Sequence, residues 1–141
     1  MIDIESAMTT KVKAACEAVD RNCKVSGEYM ATIPQYPFVE FMVTDNYVLR
    51  SSISLGKLEN HAHIVFEANC YSNLQNGKKL QAKRLLAAVD QVMSDHGFTR
   101  RTYSLLPNKN GTVARAFGRW EGIVSDGYTS NGNVLHIIYT F

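Results

Sequence analysis

"HAHIVFEANCYSNLQNGKKLQAKRLLAAVDQVM", residues 61–93, contains the change of period that sets the fold class. In its first part Ile64, Phe66, Ala68 and Cys70 recur at every second position, the pattern of a strand with one apolar face. In its second part Ala82, Leu86, Val89 and Met93 recur at helical spacing, and Leu85 and Val92 widen the stripe. The spacing predicts a helix over 78–96 that stops at Gly97. Between the two lies Asn-Gly-Lys-Lys, so the order is strand, glycine, lysine, helix, as in a phosphate-binding loop. Such a loop also needs a glycine five residues before the Gly-Lys pair and a Ser or Thr after the lysine, to cradle phosphate and hold magnesium. Those two positions are Ser72 and Lys79. The junction therefore reads as a helix start, with Asn73 or Asn76 as its cap and Gly77 allowing the tight turn.

On the N-terminal side, Ile4, Met8, Val12, Ala15 and Val19 mark an amphipathic helix of about five turns that fades near Asn22. Gly27 and the Pro34/Pro37 pair disfavour its continuation. "PFVEFMVTDN", residues 37–46, sets Val39, Phe41 and Val43 against Phe38, Glu40, Met42 and Thr44, a strand with one greasy and one mixed face. Asp45-Asn46 is a turn signal, and the serine-rich stretch after it reads as an extended arm. That arm, Tyr47 to Leu58, carries Tyr47, Val48, Leu49, Ile53, Leu55 and Leu58. A projecting apolar arm invites association with a neighbouring sheet edge. An ordinary internal hairpin is the other reading of the same residues.

On the C-terminal side, segments 98–106, 113–125 and 134–140 are separated by "PNKNGT" and "SDGYTSNGN", each with an Asn-Gly pair suited to antiparallel turns. Strands run consecutively on either side of the second helix. The expectation is one α+β domain over residues 1–141. It has a largely antiparallel sheet, two main helices packed on one face, and the hairpin-like arm.

Composition narrows the function classes. Apolar residues make up 45% and charged residues 20% of the 141, an ordinary globular balance. A net charge of +2 gives little drive for a protein built mainly to neutralise phosphates. Cys16, Cys23 and Cys70 lack the paired short spacings of a disulfide framework or zinc knuckle, and read as small buried side chains. The N-terminal residues lack the charge pattern and apolar run of a signal peptide, and no stretch has the length of a membrane span, so synthesis and folding in a reducing cytoplasm are expected.

Candidate chemistry is sparse. His61 and His63 would point to one side of a strand, as zinc-ligating pairs can, but neither His96 nor His136 has a spacing that supplies a third ligand. Ser51, Ser52 and Ser54 lack a nucleophile elbow and an evident base. No catalytic, metal or cofactor-binding residues are therefore assigned. Arg100, Arg101, Arg115 and Arg119 fall on expected strands, and some of them would form a basic ladder on one sheet face if two of those strands pair. Ion pairing within or between subunits is the plainer role for such arginines.

One ordered set of segments goes further: "DNY" at 45–47, "LENHA" at 58–62, "EANCYSN" at 67–73, "NGKK" at 76–79, "VDQVM" at 89–93, "GFTRR" at 97–101, "LPN" at 106–108, and "AR…RWEGIVS" across 114–125. Taken together they resemble the tail terminators of tailed bacteriophages of Gram-positive hosts, also described as minor capsid or tail-completion proteins. The resemblance covers roughly residues 34–125 and departs at the apolar end, "VLHIIYTF". It implies a structural virion protein at the head-proximal end of the tail, a homo-oligomeric ring (a hexamer) that caps the tail tube and ends its polymerisation. The implied partners are the tail tube protein, the head-tail connector protein, and DNA passing non-specifically through the lumen. No catalysis, cofactor or membrane is implied. The arm residues Tyr47, Leu49, Ile53, Leu55 and Leu58 are the expected subunit contacts, and Arg100, Arg101, Arg115 and Arg119 the expected lumen or partner contacts. A head-side neck protein of the same joint and a small metal enzyme using His61 and His63 are the competing readings.

Overall fold

The computed structural model describes residues 3–30, 32–48, 61–106, 111–125 and 137–139. The elements run α1 (Glu5–Val19), β1 (Lys24–Ser26), β2 (Phe38–Val48), β3 (His61–Ser72), α2 (Lys78–Asp95), β4 (Thr99–Leu106), β5 (Ala114–Ser125) and β6 (Ile137–Tyr139). The strands form one sheet in the order β1-β2-β3-β5-β4, with β6 also on β5. Among the described residues β1 and β2 pair in parallel, and the other pairings are antiparallel. Because β3 holds one edge of β5 from Ala114 to Ser125, β6 lies on the other flank, beyond the end of β4 at Thr99↔Glu121. The α+β architecture with both helices on one face is the one expected from the change of period in residues 61–93.

The strand alternation decides which face the helices cover. Ala62, Ile64, Phe66, Ala68 and Cys70 of β3 are all fully buried, and they join Val39 and Phe41 of β2 and Ala116, Trp120 and Val124 of β5. Against them pack Ile4, Met8, Val12 and Cys16 of the α1 region and Ala82, Leu85, Leu86, Val89 and Met93 of α2. Phe66 stacks on Phe41 at 4.9 Å between ring centroids and meets Phe98 edge-on at 5.3 Å. Burying a side chain of this kind stabilises the fold by about 1.5–3 kcal/mol. The core also contains the three free cysteines. Hydrogen bonding to Cys23 and burial push the Cys16 thiol up, and burial pushes Cys70 up, so both stay protonated and inert.

Few polar groups enter the layer between helices and sheet, and two of them tie elements together. Trp120 donates its indole N–H to Asp90 of α2 at 2.8 Å, which fixes the large ring beneath the helix. Gln81 of α2 accepts the Ser72 hydroxyl of β3 and donates to Asp20 at 2.9 Å, so one amide ties the end of α1, the end of β3 and the start of α2 together.

Four local expectations change. Asp45-Asn46 does not turn the chain: β2 continues to Val48, because a bulge between Val43 and Asp45 absorbs the irregularity and restores pairing of Asp45 with Val65. Val43 lies beyond the reach of β1, and its N–H donates instead to Glu5 Oε2 of α1 at 2.7 Å. The α2 N-cap is Gly77 at φ 88°, with no side-chain cap, so neither Asn73 nor Asn76 performs that role. The α1 stripe runs through Cys16 instead of Ala15 and ends with Val19 40% exposed. Finally β1, only three residues long, carries no periodic signal and exists through its pairing with β2.

Gly118 is required by a close approach. A Cβ there would lie 2.6 Å from Trp120 Cη2 and 3.2 Å from Leu86 Cδ1. Gly118→Ala is expected to lower unfolding free energy by about 1–3 kcal/mol, the cost of overpacking, measured by urea denaturation.

Candidate assembly surface

The second face of the sheet has a different chemistry. Alternation places His63, Val65, Glu67, Asn69 and Tyr71 of β3 there, with Phe38, Glu40 and Met42 of β2 and Arg115, Phe117, Arg119 and Glu121 of β5. Among the described residues no helix covers this face. Part of it is covered by the chain between β1 and β2: Phe38 and Glu40 are buried, and the Met30 N–H donates to Glu40 Oε2 at 2.7 Å. Glu40 Oε1 is buried and accepts no hydrogen bond from the described residues. Tyr71 lies nearby; burial first, then the Glu40 carboxyl beside it, push its phenol up, so it stays neutral.

Beyond that covered corner the face is a lattice of cross-strand polar pairs. Arg115 donates from Nε and Nη2 to Asn69 Oδ1 at 3.0 and 2.7 Å, with its guanidinium 5.7 Å from the Tyr71 ring centroid. Arg119 pairs with Glu67 at 3.1 Å. Glu121 accepts from Arg101 and from His63, the latter at 3.0 Å. The Tyr47 hydroxyl completes the row, 2.7 Å from His63 Nδ1. Burial alone would raise the Glu121 carboxyl, but hydrogen bonds from Arg101 and His63 outweigh it and hold the group below the usual carboxylate range.

The residues singled out from sequence are distributed unevenly. Arg101, Arg115 and Arg119 do share this face, since β4 and β5 pair, but Glu67, Asn69 and Glu121 stand between them. The result is a mixed-charge lattice and not a basic ladder. Arg100 falls on the helix side and pairs with Asp90 at 3.5 Å. Tyr47 belongs to β2, not to a separate arm; it is 45% exposed and sits near the end of the β2–β3 pairing. Leu49, Ile53, Leu55 and Leu58 lie outside the described residues, as do Ser51, Ser52, Ser54 and His136. His63 is engaged by Tyr47 and Glu121, and His96 donates from Nδ1 to Val92 O at 2.8 Å. Among the described residues no three His, Cys, Asp or Glu side chains are disposed to hold a metal. Glu40 was missed by sequence reasoning. Its only signal was a carboxylate among Phe38, Val39 and Phe41, which the pattern placed on the mixed face of the strand.

In comparisons with known proteins, no family model matches the chain and no curated protein matches it.

Two outcomes are expected. Glu121→Gln should destabilise the protein at neutral pH, and its difference from wild type should vanish as pH falls. The favourable bonds are present above the ordinary glutamate pKa of about 4.3 and are lost as pH drops through the lower folded value. Denaturation midpoints from pH 7 to pH 3 measure this. Glu40→Ala should cost about 1–3 kcal/mol by leaving the Met30 N–H without its acceptor, and should speed exchange of that amide with solvent.

Proposed function

We propose that this protein is a structural assembly subunit, a ring-forming protein that caps a phage tail tube, ends its polymerisation and joins the tail to the head connector. The resemblance of the ordered segments across residues 34–125 supplies the identity of the particle. The observation that carries the assembly role is the sheet face opposite the helices, where acidic, basic and aromatic side chains are held in cross-strand pairs. Side chains fixed by one another lose little freedom when a partner docks, so such a face suits a specific protein contact.

In this reading Tyr47, near the end of the β2–β3 pairing, belongs to the contact between neighbouring subunits, together with Leu49, Ile53, Leu55 and Leu58. The arginines act through their partners, a carboxylate for Arg100, Arg101 and Arg119 and the Asn69 amide for Arg115, and set register between surfaces. DNA passing through the lumen meets a nearly neutral face, which favours passage over retention.

The expected result is a hexamer by light scattering, or a monomer that becomes a ring on tube ends seen by negative-stain imaging with purified tail tubes. A monomer at all concentrations that never decorates tube ends would refute the proposal. Decoration of the connector alone would move the protein to the head side of the joint.

A further inference from the structure

A second surface, on the helical layer, has the anatomy of a docking site. Six large hydrophobic side chains are exposed among the described residues, and three of them line one cavity: Val19 (40% exposed), Leu74 (44%) and Leu80 (52%). The cavity, of about 210 Å³, lies where the end of α1, the turn before α2 and the first turns of α2 meet, and Asn76, Gly77, Gln81 and Arg84 complete its lining.

The charges around it are equally distinctive. Leu80, Lys83 and Arg84 are neighbours on one helix face by their three- and four-residue spacing, and Lys79 stands one turn before Lys83. No ion pair joins Lys79, Lys83 or Arg84 to a described carboxylate, whereas Arg100, Arg101 and Arg119 are each paired with one. Helix stability does not account for this arrangement. Cations near a helix N-terminus oppose the dipole, like charges four residues apart repel, and the first turn of α2 carries no acid to offset them. A local rule broken without local compensation marks a functional position.

We infer that this patch docks a protein partner whose surface presents an aliphatic side chain flanked by carboxylates. The aliphatic group fills the cavity among Val19, Leu74 and Leu80, and the carboxylates meet Arg84 in its lining and Lys79 and Lys83 along the adjoining helix face. An apolar centre with a polar rim is the usual construction of such interfaces. A second copy of the chain fits poorly, because an isologous contact would bring the cations together. Most described carboxylates are also already engaged: Glu67, Glu121 and Asp90 by Arg or His, Asp3, Glu5 and Glu40 by backbone N–H groups, and Asp20 and Asp95 by glutamines, while Glu17, Glu28 and Asp45 lie on separate segments. A nucleic-acid backbone would meet the cations but leave the three aliphatic side chains uncovered. This inference does not rest on the ring assembly.

The test is a titration of the isotope-labelled protein, followed by amide NMR shifts. Three probes are compared: a blocked peptide of leucines flanked by glutamates, the same peptide with serines for the leucines, and a short DNA duplex. The leucine peptide should give saturating shifts confined to Val19 and residues 74–84, and the serine peptide should bind at least tenfold more weakly. The double substitution Leu80→Ser and Arg84→Glu lies at the surface and should retain the native spectrum while weakening the leucine peptide tenfold or more. Absence of saturating shifts, shifts elsewhere, equal binding of both peptides, or tighter binding of DNA would each overturn the inference.

Discussion

The whole fold depends on β3 being paired along its length on both sides while its inward side chains reach the helices. Ala62, Ile64, Phe66, Ala68 and Cys70 leave no room for water on that face, and the strand's hydrogen bonds are completed by β2 and β5. A slip of one residue would turn Ile64 and Phe66 outward and bring Glu67 and Asn69 into the core, so burial enforces the register. That register then places Glu67 opposite Arg119, and Tyr71 opposite Arg115, on the outer face. The polar lattice is thus a consequence of how the apolar face packs.

The two layers divide the work. The helical layer supplies stability through the contacts around Phe66 and Trp120, and Asp90 and Gln81 fix its orientation. Carboxylates perform an unusual share of backbone satisfaction: Glu5 meets the N–H of Val43 next to the bulge, and Glu40 meets that of Met30. A carboxylate on a flexible side chain can reach an N–H that the strand ladder leaves without a carbonyl, which suits it to places where the ladder is interrupted.

Much of this was legible from residue patterns. The period of two in residues 64–70 and the period near 3.6 in 82–93 were carried by side chains that turned out buried, with Val92 at the stripe's margin only partly so, since each pattern expresses which face meets the core. The helix start at Gly77 was legible in place but not in mechanism. An asparagine near the turn suggested a side-chain cap, and the backbone geometry of glycine at φ 88° supplied the turn without one. The turn expected at Asp45-Asn46 failed because residue preference is weaker than ten paired residues of β3.

Sequence alone determined the α+β class, the order of the two helices and the longer strands, the buried stripes of β3 and α2, and the absence of a phosphate-loop pattern at Gly77-Lys78. These follow from local periodicity and from residue types at fixed spacing. Only the tertiary structure decided which arginines meet which carboxylates, that β1 exists, that Glu40 is buried, and that Val19, Leu74 and Leu80 meet at one cavity. Each of those facts joins residues distant in the chain, and no local pattern encodes a pairing that arises when separate elements are brought together.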